Sequence, residues 1–363
     1  QRTQVRSLRW NRNYQIAVDS VAAEVLALLH GQFLKPMSIG DVAASESILR
    51  NLDKNAGFYA FETGKRSKGE NLEEAVKWCV SNAKDILAKG NYGLPLVMSH
   101  RSSNSKPIDL FYWKWRCRVI LMQDLRALLY DGRFAIPTIT LFQGIPWGEG
   151  SMSTIEVRHW IQREREHADY WYSSDYSKFD TSQAGWLIED VFSKVVRPLF
   201  GELSDEDERW FQVMVNSYIH KDIDSFDGRI HIDNCQVSGS LMTYAINTIV
   251  NEIVDRTSLI MQGCDYRKFR SLKCGDDNLT YYPASEPWDA KKHCDLIQRY
   301  FGIKTTLGEA DQGRAKDEDP HFLSRTWTRG GEWRPLIEVL WNLVKPERRR
   351  NYNPTFTNIS VKR

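Results

Sequence analysis

Three aspartates in two separate stretches could together hold divalent cations. Asp175 ends an aromatic, β-prone run that starts at Tyr170, and Asp180 follows five residues later. Further on, Lys273-Cys274-Gly275-Asp276-Asp277-Asn278 sets two adjacent carboxylates after a glycine. Strand-like runs lead in (Tyr266 to Cys274) and out (Leu279 to Pro283), so the pattern predicts a hairpin with two acids at its tight turn. Hard carboxylate oxygens in such a cluster suit Mg²⁺, which takes a few carboxylates, several waters and substrate phosphates. Two such ions about 3.5–4 Å apart can clamp the attacking and leaving oxygens of an in-line phosphoryl transfer. Three clustered carboxylates repel unless a cation or raised pKa values accompany them. Each stretch alone reads equally well as a solvated turn, and only the combination points to a site.

Between the two acidic elements lies Ser238-Gly239-Ser240-Leu241-Met242-Thr243-Tyr244-Ala245-Ile246-Asn247-Thr248. A Ser-Gly turn feeds a helix in which Thr243 and Asn247, four residues apart, share a face. One reading is a pair of satisfied core polar groups. The other is that Asn247 and Asp180 meet over a sugar 2′-hydroxyl, which both donates and accepts. A second candidate stretch, Phe111 to Ile120, alternates aromatic with basic residues. Lys114, Arg116 and Arg118 fall on one side if it is extended. A charge-protected edge strand would show the same pattern.

These residues need elements to position them. Helices are expected from Tyr14 to His30, from Asn71 (as N-cap) to Lys89, and from Gln123 to a stop at Ile136-Pro137. The basic stretch Phe61 to Glu70 reads as a solvated or RNA-touching loop, and Tyr92 to Pro107 as loop. Further helices are expected within 151–169, from Ser182 to about Phe200, from Ser204 to about Tyr218, after Ser238-Gly239, from Pro287 to Tyr300 and from Leu336 to Val344. Asp227-Gly228 and Gly330-Gly331 mark two more hairpins, and Ile303 to Leu307 a strand. The order implies an α+β fold, an antiparallel sheet backed by helices.

Composition sets wide bounds. The 363 residues suffice for two or three domain-sized units, and 26% charged with 42% hydrophobic residues is ordinary for a globular chain. A net charge of +2 excludes a global basic field but leaves room for a local basic groove. Six cysteines without a C-x-x-C pair fit neither a zinc motif nor a disulfide framework, so free thiols in a reducing compartment are expected. No apolar run approaches the ~18 residues of a membrane helix.

The ordered set Asp175-x-x-x-x-Asp180, Ser238-Gly239-x-x-x-Thr243-x-x-x-Asn247 and Gly275-Asp276-Asp277 resembles motifs A, B and C of viral RNA-directed RNA polymerases. Asp175 to Asp180 with Gly185-Trp186-Leu187-Ile188, then Phe322-Leu323, Gly330-Gly331, Arg334-Pro335-Leu336 and Lys345-Pro346-Glu347, is similar to the partitivirus and picobirnavirus group of double-stranded RNA viruses. The resemblance implies a right-hand fold of fingers, palm and thumb. Fingers would occupy 1–165, a palm 166–320 with a finger insertion at about 201–234, and a motif E hairpin with a truncated thumb 321–363. N-terminal finger sequence is also expected to be missing.

By the same resemblance, Asp175, Asp276 and Asp277 would hold two Mg²⁺ ions, for which Mn²⁺ could substitute. Asp180 and Asn247 would select ribonucleotides. Ser238, Gly239 and Thr243 would shape the loop and helix under template and nucleotide. Lys114, Arg116 and Arg118 would bind the incoming triphosphate, and Lys304 (or, as the alternative, Lys316) would protonate pyrophosphate. Implied partners are template and nascent RNA, ribonucleoside triphosphates and a viral capsid protein, with no membrane. The implied location is the host cytoplasm, inside the virion. The competing expectations are a reverse transcriptase-like palm polymerase and a catalytically silent RNA-binding palm fragment.

Overall fold

Apolar residues at helical spacing bury one side of α1 (Arg12–Ala27). Tyr14, Val18, Val21 and Val25 face inward, and the Asn11 side chain accepts from the Asn13 N–H to cap the first turn. The computed structural model describes residues 8–9, 11–103, 116–150, 152–225, 227–236, 238–307 and 311–334. The expected helix at Leu336 to Val344 and Lys114 lie outside them.

Local expectations change at several points. Helix α2 (Lys68–Lys89) starts before Asn71, because Ser67 and Glu70 form a reciprocal capping box. Asn71 is buried inside the helix, where its amide donates to the Lys65 and Ser67 carbonyls. The stretch expected as loop from Tyr92 holds strand β1 (Leu96–Ser103), antiparallel to β2 (Arg116–Met122). Helix α3 (Leu125–Phe142) runs through Pro137 instead of stopping there. Proline cannot donate to the Arg133 carbonyl one turn back. The Met37 N–H does so at 2.9 Å, leaving no orphaned acceptor to break the helix.

The central elements follow the expected order. They are α4 (Thr154–His167), β3 (Tyr170–Tyr172), β4 (Asp175–Tyr176) and α5 (Gly185–Asp190), the last continuing through a π turn and a 3₁₀ turn to Phe200. Then come α6 (Asp205–Ile219), capped by Ser204, and the hairpin β5 (Lys221–Ser225) and β6 (Gly228–Ile232). Helix α7 (Thr243–Gln262) precedes the hairpin β7 (Arg270–Cys274) and β8 (Asp277–Tyr282). Helix α8 (Ala290–Phe301), β9 (Thr305–Thr306) and β10 (Gln312–Arg314) follow. The last described strands are β11 (His321–Phe322), β12 (Arg325–Thr328) and β13 (Gly331–Trp333).

Two four-stranded sheets result, ordered β2-β1-β5-β6 and β10-β3-β8-β7, with β11-β12-β13 and the pair β4-β9 beside them. The second sheet is antiparallel throughout. Strand alternation gives it two different faces. Trp171, Leu272, Leu279 and Tyr281 pack with Val157, Trp160 and Ile161 of α4. The opposite face turns polar groups toward α7, and there lies a buried charge. Lys273 is 0% exposed, and its Nζ donates to Asp255 Oδ2 and to Asn278 Oδ1. Tyr172 donates its hydroxyl proton to Asp255 Oδ1 at 2.8 Å. Burial alone would raise the Asp255 carboxyl, but Lys273 and Tyr172 outweigh it and hold it below the usual carboxylate range. Removing either ion would strand the other in a dry interior, typically at a cost of about 3–5 kcal/mol.

His293 on α8 closes this network, with Nδ1 at 3.0 Å from Ser258 Oγ and Nε2 at 3.5 Å from Asp255 Oδ1. Burial drives its imidazole down to about 4. The folded form therefore takes up its proton later than the unfolded chain, whose histidine titrates near 6.5. Its stabilising effect is complete above about pH 6.5 and is lost as pH falls toward 4. Urea denaturation across that window should show wild-type stability falling by about 3 kcal/mol more than that of His293→Leu. Equal slopes would mean that His293 is not buried neutral.

Candidate active site

The acidic turn is built by register. Cys274 pairs with Asp277, so Gly275 and Asp276 form a two-residue turn. Gly275 takes φ +64°, a conformation that side chains rarely adopt. The last rung of the β3–β8 ladder sets Tyr172 opposite Thr280, and beyond it a side-chain bond links the two segments. Asn278 Nδ2 donates to Ser174 Oγ at 2.9 Å. Asp175 itself belongs to β4, which pairs with β9 in a separate two-stranded sheet. Asp175 and Asp276 are exposed and Asp277 is half-buried.

Helix α7 holds that turn from beneath. The Thr248 hydroxyl accepts from the Gly275 N–H at 3.0 Å. Asn251 Nδ2 lies 3.0 Å from the Gly275 carbonyl and 3.3 Å from the Asp277 carbonyl, donating to both. Its own carbonyl accepts from the Tyr176 hydroxyl at 3.3 Å, which ties in the residue after Asp175. One side chain thus joins both acidic strands. Neither Thr248 nor Asn251 was singled out from sequence. The available signal was the four-residue spacing of Thr243 and Asn247, which continues to Asn251 and Asp255.

Asp180 and Asn247 do meet. Asn247 Nδ2 donates to Asp180 Oδ1 at 2.5 Å, and Asn247 Oδ1 accepts from Gln183 Nε2 at 2.7 Å. Gln183, also missed from sequence, thereby fixes which way the Asn247 amide points. The backbone of this acidic loop is clamped as well. The Gln236 N–H donates to the Asp180 carbonyl at 2.7 Å, and the Cys235 N–H to the Gln183 carbonyl at 3.1 Å.

Ser238 and Gly239 lie against the end of β2. Ser238 Oγ accepts from the Leu121 N–H at 3.2 Å, and Gly239 bridges to Met122. A Cβ on Gly239 would sit 2.2 Å from the Leu121 carbonyl oxygen, so only glycine fits. The helix expected directly after this pair begins at Thr243, whose Oγ1 donates to the Ser240 carbonyl at 3.0 Å. Arg116 and Arg118 stand two positions apart on β2, opposite Ser103 and Arg101. The Lys304 carbonyl accepts from the Ser177 N–H at 2.9 Å, which extends the β4–β9 pairing and places this exposed lysine beside the strand of Asp175. Lys316 stands elsewhere, its carbonyl accepting from Arg329.

The donor set fits divalent cations. Asp175, Asp276 and Asp277 offer hard oxygen ligands, and Asn251 links the segments that carry them. Among the described residues, the potential ligands whose donor atoms all lie within 4.8 Å of one another are His220, His231 and Asp233, not the aspartate trio.

Asn251→Ala removes the donor shared by Gly275 and Asp277. Urea denaturation should show a loss of about 1–3 kcal/mol. Unchanged stability would mean that the turn is held by something else.

A profile of the viral RNA-dependent RNA polymerase family matches residues 114–344. Among solved structures, the crystal structure of the RNA-dependent RNA polymerase of a human picobirnavirus superposes with a TM-score of 0.69 at 15% identity. That match covers 94% of this chain and 65% of that one, and it shows a shared fold. A shorter match, 27% identical over 131 residues, is to the DNA repair protein RecO of Synechococcus sp. (strain CC9311). It covers 33% of this chain and 47% of that protein, too little to assign a family. The profile match spans well over half of the chain, and the acids, the Ser-Gly turn and the asparagine helix all fall within it. The chain belongs to the viral RNA-dependent RNA polymerase family.

Proposed function

We propose that this chain is the catalytic part of an RNA-directed RNA polymerase of the picobirnavirus-like group, adding ribonucleotides to a nascent strand on an RNA template. The observation that carries this reading is Asn251, which ties the strand of Asp175 to the Gly275–Asp277 turn, with the Asn247–Asp180 bond on the same helix. The strand's 3′-hydroxyl attacks the α-phosphorus of a ribonucleoside triphosphate, and pyrophosphate leaves. Asp175, Asp276 and Asp277 would hold two Mg²⁺ ions, or Mn²⁺ in their place. Such ions supply charge neutralisation at the attacking and leaving oxygens.

The chain's own residues do the positioning. Asp180 and Asn247 present an acceptor and an amide to the ribose 2′-hydroxyl, a pair that a deoxyribose cannot satisfy. Gly239 keeps the loop close to β2, leaving room above it for template and nucleotide. Lys114, Arg116 and Arg118 would neutralise the triphosphate, where forked, permanently charged guanidinium groups suit phosphate oxygens. Lys304, beside the Asp175 strand, would give its proton to the leaving pyrophosphate.

Fingers over 1–165, a palm over 166–320 with an insertion near 201–234, and a thumb start after 321 complete the proposal. The insertion contains β5 and β6, which join β1 and β2 in one sheet, as an element of the fingers would. Template RNA, nascent RNA and a capsid protein are the proposed partners.

Primer extension on an RNA template tests the assignment. Incorporation of ribonucleotides in strong preference to deoxyribonucleotides is expected, and Asp276→Ala should abolish it while leaving the thermal melt unchanged. Normal incorporation by Asp276→Ala, or equal use of dNTPs, would overturn it.

A further inference from the structure

The chain carries two His-x-Asp pairs that the acidic site does not use: His220-Lys221-Asp222 and His231-Ile232-Asp233. The β5–β6 ladder brings them together. Asp222 pairs with His231, and the same antiparallel register carried to the hairpin base sets His220 opposite Asp233. Residues two apart on a strand share a face, so all four side chains converge on one side. His231 Nε2 and His220 Nδ1 approach the same oxygen, Asp233 Oδ1, at 2.8 and 2.9 Å. The other ring nitrogen of His231, Nδ1, lies 2.8 Å from Asp222 Oδ1.

We propose that His220, His231 and Asp233 form a transition-metal site of the zinc type, with Asp222 orienting His231. Two imidazoles and one carboxylate are the ligand chemistry of a three-residue zinc centre with a fourth position open to water. The Asp222–His231 bond has the form of the carboxylate–histidine–metal arrangement, in which the second nitrogen is tied down while the first faces the ion. Ligand bonds of about 2.0–2.1 Å in a tetrahedron separate the ligand atoms by roughly 3.4 Å. Small rotations of these exposed side chains open the present contacts to that spacing. The ligand set also separates this ion from the one at the aspartates: imidazole nitrogen suits zinc, whereas Mg²⁺ takes oxygen.

The location gives such an ion a structural effect. It would join the end of α6 to the end of β6. The neighbouring Lys221 already spans this junction, donating to the Tyr218, Asn234 and Cys235 carbonyls. From Asp233 the chain runs directly into the Cys235-Gln236 clamp on the Asp180 loop and then into Ser238-Gly239. A metal at this hairpin base therefore stiffens the entry to the loop beside the acidic site. It leaves the aspartates themselves untouched.

The test uses the full chain, stripped with chelator and titrated with Zn²⁺ in excess Mg²⁺, alongside Co²⁺ as a spectroscopic probe. One equivalent of Zn²⁺ should bind, Co²⁺ should give the absorption of a four-coordinate site, and Zn²⁺ should raise the melting temperature reversibly. The double variant His220→Ala/His231→Ala should lose all three effects. Its ligands are exposed, so its metal-free melt should match that of wild type. Asp222→Asn should weaken binding by about 10–100-fold. Failure of the wild type to retain Zn²⁺ against excess Mg²⁺ would overturn the site. So would unchanged Zn²⁺ binding by the double variant. Unweakened binding by Asp222→Asn would overturn the orienting role of Asp222.

Discussion

One stripe of buried polar side chains on helix α7 holds the acidic turn and the Asp180 loop in place. Asn247, Asn251 and Asp255 recur every four residues, so they stack along one face. Each meets a different part of the site. Asn247 holds Asp180, Asn251 holds the Gly275–Asp277 turn, and Asp255 neutralises Lys273 behind that turn. Polar groups in a dry interior are costly unless their partners are complete, which makes these contacts directional and hard to substitute. An apolar helix could pack against the same sheet. It would not fix the height and tilt of the acidic turn.

The remaining architecture keeps that stripe in place. On its other side α7 packs along α1, where Arg256 joins Glu24 at 2.6 Å. Helix α4 covers the far face of the sheet with an apolar layer, so β3, β7 and β8 are held between a greasy support and a polar one. Strand alternation makes this possible. Leu279 and Tyr281 serve the apolar face, and Asn278 and Thr280 serve the polar network. Asn251 then ties the β7–β8 turn of this two-sided sheet to the separate strand that carries Asp175.

Much of this was legible in the sequence, because the local signals agreed with the fold. Glycine before two acids between strand-like runs became a two-residue turn. The Asp180–Asn247 meeting was one of two readings open for the polar pair on that helix, and the two side chains do bond. What was not legible depended on contacts distant in the chain. Pro137 reads as a helix stop until Met37 supplies the missing donor. Leu96 to Ser103 reads as loop until β2 pairs with it. Lys273 reads as one more strand residue, since only the fold shows that its charge is buried against Asp255. Gln183 carries no pattern at all and acquires its role from the amide it orients.

We propose that the α7 stripe, through Asn251, brings Asp175 and the Gly275–Asp277 turn together as one metal-binding site. Anomalous scattering from Mn²⁺, in crystals of the chain soaked with Mn²⁺ and a nucleoside triphosphate, tests this most directly. A peak among the carboxylates of Asp175, Asp276 and Asp277 is the predicted result. Manganese bound elsewhere, with these side chains uninvolved, would contradict it.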